Sequence, residues 1–151
     1  MSPVDIEKEL LDIRRRVGAY YSLGRYKDAL DAAVELQIKV EDEMGKNNAI
    51  YASALNNVGL MCKLIADNER AVATYTEALH IYESVSGKMS RNYMITLANL
   101  GAAYRTYGDC TKGLEKQHLY DRASEALGDV YQHSQDLLGE RVRHCMTRQL
   151  C

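Results

Sequence analysis

The sequence contains no phenylalanine and no tryptophan, and its single proline stands at position 3. Nothing beyond that position forbids a helix, and the 11 tyrosines must supply most of the bulky packing. No apolar run approaches the roughly 18 residues of a membrane span, so we expect no membrane contact. The formal net charge of −2 gives no electrostatic reason to expect a nucleic-acid partner.

None of the four cysteines forms a C-x-x-C pair; they are Cys62, Cys110, Cys145 and Cys151. This usage is typical of a reducing compartment, and the N-terminal residues lack the apolar stretch of a signal peptide, so we expect a cytoplasmic protein. Cys62 falls in a packed column and is expected to be a small buried hydrophobe. The spacing of His144, Cys145 and Cys151 matches no common metal site.

No catalytic pattern is present. The sequence has no glycine-rich phosphate loop, no nucleophile elbow and no His-Glu-x-x-His motif. The four histidines are scattered, and the consecutive acids Glu41, Asp42 and Glu43 radiate around a helix as a solvated face. We therefore expect a protein that is not an enzyme and needs no cofactor or metal.

The chain repeats itself every 42 residues. One column at this spacing is Val17, Gly59 and Gly101, and a second column of small residues is Ala29, Ala71 and Gly113. Self-similarity at a fixed period of this size indicates stacked units that cannot bury their apolar faces alone. Stacked units make extended concave surfaces, which usually bind a partner rather than transform it.

Apolar residues recur at three- and four-residue spacing within each unit, which predicts an all-α fold of about seven helices. Gly24, Ala66 to Asn68, and Gly108 with Asp109 are expected to be the turns inside the three pairs. We expect one domain over 1–151, with helix-turn-helix repeats at about 10–45, 52–87 and 94–128. A capping helix at about 130–149 would cover the last apolar face.

These features resemble the tetratricopeptide repeat family, and the segment Leu55-Asn56-Asn57-Val58-Gly59 with its 42-residue period resembles the kinesin-light-chain-like subclass. The resemblance implies a helical solenoid of three repeats plus the cap, acting in protein–protein interaction. It also implies that the first helix of each pair lines a concave groove. The chain departs from the family pattern at Arg16-Val17, Gly113 and Gln117, so the second helix of the third pair should pack less well.

Two columns are expected on the groove side of the first helices: Arg15, Asn57 and Asn99, and Tyr21, Lys63, Arg105 and, if the cap aligns on Gly139, Arg143. Arg14 and Asn56 lie beside the first column. An asparagine amide offers a donor and an acceptor to an extended main chain, and a basic column favours carboxylates. These nine residues are the predicted peptide-binding groove, and an extended acidic peptide is the predicted ligand.

Several alternatives remain open from the sequence. Exposed Lys and Arg are common on any helix surface, and Asn57 and Asn99 could instead bridge neighbouring helices. The carboxylate-clamp type of groove fits less well, because it requires Asn where this chain has Gly18 and basic residues at Ile95 and Asn99. A further alternative is a structural module that forms homo-oligomers by stacking through the repeat ends.

Overall fold

The computed structural model describes the backbone of residues 2–148 and the side chains of residues 2–141. Those residues form six α-helices joined by short turns. The helices are α1 (Pro3–Ser22), α2 (Tyr26–Met44), α3 (Ala49–Leu64), α4 (Asn68–Ser86), α5 (Arg91–Cys110) and α6 (Gly113–Arg148). Consecutive helices pack as antiparallel pairs, which confirms the predicted helical solenoid.

The beginning of α1 follows from the sequence Ser2-Pro3-Val4-Asp5. The Asp5 backbone N–H donates to the Ser2 hydroxyl at 3.3 Å, and the Ser2 backbone N–H donates to the Asp5 carboxylate at 3.1 Å. Pro3 occupies the first turn, where its missing N–H has no helical partner to lose. This reciprocal capping box fixes the start of the helix.

The turns inside the first two pairs have the same backbone geometry, 42 residues apart. Gly24 and Ala66 both adopt positive φ, at 70° and 63°. In each turn the next residue's N–H reaches back to close the helix: Arg25 donates to the Tyr20 carbonyl and Asp67 to the Cys62 carbonyl, both at 2.9 Å. The 42-residue repeat therefore preserves the positive-φ geometry of the turn even at Ala66, where alanine stands in place of glycine.

The predicted turn at Gly108 and Asp109 is wrong. Helix α5 continues through both residues to Cys110, and positive φ appears only at Gly113, at 72°. Gly108 serves as a contact instead, since a Cβ there would lie 3.0 Å from the Tyr120 ring. The Tyr120 hydroxyl donates to the Asp109 carboxylate at 2.6 Å and joins the end of α5 to α6.

This later turn shifts the pairing of the third repeat. In an antiparallel pair of helices, moving the connecting loop along the chain by about one turn of helix shifts the residue that faces a given position by about two turns of helix. Gly101 accordingly faces Ala126 and Leu127, not Gln117, the 42-residue equivalent of the Tyr75 that faces Gly59. Gly113, expected among the packed small residues, lies instead at the exposed start of α6.

The separate capping helix at about 130–149 is also wrong, because α6 runs without a break from Gly113 to Arg148. The expected boundary coincides with Gly128, which stays helical. A glycine inside a helix costs roughly 1 kcal/mol relative to alanine but keeps its backbone N–H, so unlike proline it does not end the helix.

Two clusters of buried side chains form the core. One joins α1 to α5 through residues such as Val40, Tyr51 and Leu55, and the other centres on Ala29, Cys62 and Tyr75. Cys62 is fully buried, as expected, and burial raises the pKa of its thiol. A thiol held protonated is a weak nucleophile, so this cysteine acts in packing.

The stack has an inner and an outer side. Cα atoms of α3 and α5 approach within 8 Å, whereas among the described residues α2 and α4, and likewise α4 and α6, do not. Helices α3 and α5 therefore lie closer together than α2 and α4 or α4 and α6, which places α3 and α5 on the inside of the curve. None of the described helices combines the length and the apolar character needed to cross a bilayer.

Candidate functional site

The predicted basic column lies toward the ends of α1 and α3. Tyr21 and Arg105 are exposed and Lys63 is half-buried. Within the described side chains neither Lys63 nor Arg105 forms an ion pair with an acid of this protein. The two residues keep the same place on successive first helices, and packed helices lie about 10 Å apart, so their charges are separated by about one Debye length.

In the predicted column of Arg15, Asn57 and Asn99, the two asparagines share one environment and Arg15 has another. Asn57 and Asn99 are half-buried, and their side-chain amides make no hydrogen bond within the part of the chain that is described. Arg15 is exposed and its contact with Asp12 is long, at 3.6 Å. The amides of Asn57 and Asn99 are thus available to a ligand on the inner surface.

Asn56 has a structural role that the sequence does not reveal. Its Nδ2 donates to the Thr96 hydroxyl at 2.8 Å, and Thr96 is fully buried. The Thr96 hydroxyl in turn donates to the Asn92 carbonyl at 2.8 Å. This chain of hydrogen bonds ties α3 to α5, so the bridging role that the sequence left open for the asparagines belongs to Asn56.

Arg14, the remaining described candidate, lies in a different environment. It is exposed, forms no ion pair among the described side chains, and lines a cleft of about 720 Å³ together with Asn57. The cleft opens where α1 and α3 begin, about 10 Å along the helices from the basic column, at 1.5 Å per residue. Arg143, the last predicted site residue, lies outside the residues whose side chains are described.

The apolar residues around this cleft were missed at the sequence level. Leu11 and Ile50 are about half-exposed at its mouth, and Leu10 and Val40 are buried in its floor. One signal was available, because Leu11 and Ile95 occupy equivalent groove-side positions two repeats apart and are both exposed. Apolar residues at exposed repeat positions indicate a binding surface rather than a core.

The described residues do not gather into a centre for catalysis or metal binding. Within residues 2–141, no three His, Cys, Asp or Glu side chains are grouped so that they could hold a metal ion. The titratable groups most changed by burial are tyrosines: burial raises the phenol pKa of Tyr51, Tyr75, Tyr82 and Tyr93, which keeps them neutral. Tyr51, Tyr75 and Tyr93 belong to the core or its edge, and Tyr82 also lines the cleft.

Comparison with known proteins supports the fold. No family model matches the sequence, and no curated protein matches it. Among solved structures, the chain is similar to the crystal structure of BtubC (BKLC) from P. vanneervenii, with a TM-score of 0.59 and 20% sequence identity. The match covers 87% of this chain and 61% of that one, so this chain spans less than two thirds of it.

A likeness at this identity concerns the fold alone. Together with the 42-residue repeat and the six packed helices, it establishes a tetratricopeptide-like helical solenoid. The kinesin-light-chain-like subclass stays a prediction from the Leu55–Gly59 segment and the period.

Proposed function

We infer that the protein is a non-enzymatic interaction scaffold that binds an extended, acidic peptide from a partner protein across its inner surface. What supports this is that Lys63 and Arg105, which the repeat register predicts on the groove side of successive first helices, form no ion pair with an acid among the described side chains. Cations that lack an internal partner give a ligand carboxylate a charge-assisted hydrogen bond.

The asparagine amides supply the second part of the interaction. Asn57 and Asn99 each have an unused donor and acceptor on neighbouring helices. One amide per helix can grip the N–H and C=O groups of an extended chain without selecting its side chains. Helices α3 and α5 lie about 10 Å apart, so an extended peptide of about nine residues, roughly 30 Å long, reaches across both.

The test is binding of a fluorescent peptide of about nine residues that alternates glutamate with small residues. In the double variant Lys63→Glu with Arg105→Glu, affinity should fall about tenfold or more, because each reversed contact changes the binding free energy by about 1 kcal/mol. Wild-type affinity should also fall as salt rises from about 50 to 500 mM. Circular dichroism should show unchanged helix content.

A matched control has the same change in charge away from the groove. Lys27 and Arg70 are exposed on α2 and α4 and form no ion pair among the described side chains. The variant Lys27→Glu with Arg70→Glu should bind the peptide nearly as well as wild type. Equal losses in both double variants would mean that only net charge matters and that the groove assignment is wrong.

The asparagines give an independent test. Asn57→Ala with Asn99→Ala should weaken binding of the acidic peptide and of a neutral peptide of the same length, with little change in melting temperature. Asn56→Ala should instead lower the melting temperature, since it leaves the buried Thr96 without its donor. Loss of stability in the first variant without loss of binding would show that Asn57 and Asn99 hold the helices together.

A further inference from the structure

The cleft at the beginning of α1 and α3 exists because these two helices do not meet. No Cα atom of α1 lies within 8 Å of α3, whereas α3 and α5 do approach that closely. The α3–α5 contact carries the Asn56–Thr96 hydrogen bond. The equivalent residues one repeat earlier are Arg14 and Ala54, and alanine offers no acceptor, so this hydrogen bond has no counterpart between α1 and α3.

The cleft is large and mainly apolar. Its volume of about 720 Å³ lies within the range of about 300–1,000 Å³ that is typical of ligand pockets. Its apolar walls come from α1, α2 and α3 and include Ile6, Leu10, Leu11, Leu36, Met44 and Ile50. A lining of this kind, contributed by several helices, suits the apolar face of an incoming helix.

The charged residues that line the cleft include one more acid than base: Glu7 and Glu43 against Arg14. Lys39 lies 3.2 Å from Glu43 but also 3.0 Å from Glu9, so one cation is shared by two acids. Glu7 forms no ion pair within the described residues. Arg14 lies on the same face of α1 as Glu7, two helical turns further along.

A helical segment with two exposed leucines projects from the molecule at the same edge. Val130 packs on the core cluster that contains Tyr93, near the beginning of α5, and α6 continues to Arg148. That is 18 further residues, or about 27 Å of helix. Leu137 and Leu138 in this projecting segment are exposed by 44% and 57%.

The charge of this projecting segment complements the mouth of the cleft. Arg141 is exposed, and the sequence adds Arg143 and Arg148 against the single acid Glu140 after Leu138. A basic helix approaching the cleft would place positive charge near Glu7, and Glu140 would be the counterpart of Arg14. Arrangements of this kind favour the encounter and fix its register.

The direction of α6 decides which molecule it can reach. Because α6 is antiparallel to α5, it projects away from the body past the edge at which α1, α3 and α5 begin. It cannot turn back into its own cleft without breaking the helix. Two molecules related by a two-fold axis at this edge could each place the projecting segment in the cleft of the other, an isologous arrangement that closes after two copies.

We propose that the cleft between α1 and α3 binds the projecting end of α6, residues 137–148, from a second copy of the chain, so that the protein forms a reciprocal dimer. The contact differs from stacking through the repeat ends and does not use the Lys63 and Arg105 pair. Asn57 lines the cleft as well as the predicted groove, so a bound peptide and the partner's helix would compete there, but the two proposals are tested by different measurements, mass and peptide affinity.

The test uses the full chain in light scattering coupled to size exclusion, over a wide range of concentration. The wild type should reach twice the mass of the chain. Leu137→Glu with Leu138→Glu changes the projecting segment, and Leu11→Glu with Ile50→Glu changes the cleft. Each double variant alone should have the mass of one chain. All four residues are exposed, so helix content should stay unchanged.

Mixing the two variants distinguishes this contact from a general effect of added charge. The cleft variant keeps an intact projecting segment and the other variant keeps an intact cleft, so an equimolar mixture should recover a dimer with one contact. Leu114→Glu is the control, since Leu114 is 93% exposed at the opposite end of α6. It should remain dimeric. Glu7→Arg should weaken the dimer, and adding Arg141→Glu should restore it.

Three results would overturn the proposal. The first is a wild type with the mass of one chain at every concentration. The second is a dimer that neither double variant affects. The third is loss of the dimer in Leu114→Glu to the same extent as in the projecting-segment variant, which would indicate nonspecific association through exposed leucines.

Discussion

The contact between Gly59 and Tyr75 offers a direct test of how α3 packs against α4. A Cβ added to Gly59 would lie 2.9 Å from the nearest ring carbon of Tyr75 and 3.0 Å from two others. Contacts below 3.0 Å force a shift of one partner. The Tyr75 side chain is fully buried, so it has little room to move. We therefore expect Gly59→Ala to destabilise the fold.

The size of the effect follows from two opposing contributions. Replacing glycine by alanine inside a helix stabilises by about 1 kcal/mol through helix propensity. Overpacking a buried contact by one methyl group costs about 1–3 kcal/mol. The net change for Gly59→Ala is thus between roughly zero and a loss of about 2 kcal/mol, and the propensity contribution must be measured separately.

Gly18 provides that measurement within the same protein. It lies inside α1, next to the 42-residue equivalent of Gly59, and a Cβ there meets nothing within 4 Å. Gly18→Ala should raise stability by about 1 kcal/mol, which moves the melting temperature of a chain of this size up by about 2–4 °C. The difference between the two variants isolates the cost of the Tyr75 contact, expected at about 1–3 kcal/mol.

Urea unfolding followed by circular dichroism, with thermal melting as a second probe, gives both free energies. Equal denaturant slopes would show that the unfolded states are comparable. If Gly59→Ala were as stabilising as Gly18→Ala, the α3–α4 contact would be looser than described, and the alignment of Gly59 with the tightest point of the repeat would be refuted.

The remaining predictions concern the turns and the buried phenols. Ala66→Gly should raise stability by about 0.5–1 kcal/mol and Gly24→Ala should lower it by a similar amount in thermal melts, because both positions have positive φ and only one holds glycine; changes of the same sign would contradict this. The phenol pKa of Tyr75 is raised above its ordinary value of 10.0, first by burial and then by the Cys62 thiol. A raised pKa in the folded state means that stability is lost as the pH climbs beyond about 10. Tyr75→Phe should reduce that alkaline loss and be neutral or slightly stabilising at pH 7, since the buried hydroxyl has no hydrogen-bond partner among the described residues; an unchanged pH profile in alkaline urea titrations would count against it.

The first two helix pairs could be predicted from the sequence because their local and repeat signals agree. Gly24 ends α1 by the ordinary preference of glycine for positive φ, and the 42-residue register carries the same turn to Ala66. A prediction from local propensity alone would have placed no left-handed residue at Ala66. The repeat pattern was the better guide there.

The same register misled the prediction in the third pair. Gly108 stands at the repeat position of the turn, yet Tyr120 packs against it and the helix continues. The later turn, after which α6 starts at Gly113, had a signal in the sequence. Leu119, Ala123 and Ala126 are buried and follow one another at intervals of four and three residues, as on one face of a helix. Where the local spacing of apolar residues and the 42-residue repeat disagree, the apolar spacing is the better guide. Burial of apolar area stabilises a helix, whereas an equivalent position in a repeat contributes no free energy by itself.

The site was predictable to the extent that it depends on single helices. The exposure of Arg14, Arg15, Tyr21 and Arg105 follows from helical periodicity. The role of Asn56 and the presence of the cleft depend on the distance between helices, and the sequence of one repeat does not determine how closely the next repeat packs against it. Asn56 and Thr96 bridge α3 and α5, whereas the equivalent residues Arg14 and Ala54 form no such bridge within the described residues.

Helices α1, α3 and α5 run in the same direction, so their positive N-terminal ends lie at one edge and their negative C-terminal ends at the other. Asp5 in the first turn of α1 complements the dipole at the first edge, and Lys63 in the last turn of α3 complements it at the second. The other ends carry no such charge, since α3 and α5 have no acid in the first turn and α1 and α5 have no base in the last turn. We propose an acidic peptide at the edge of Lys63 and Arg105 and a basic helix at the edge of Glu7, and because Asn57 belongs to both sites, binding of one segment is expected to weaken binding of the other.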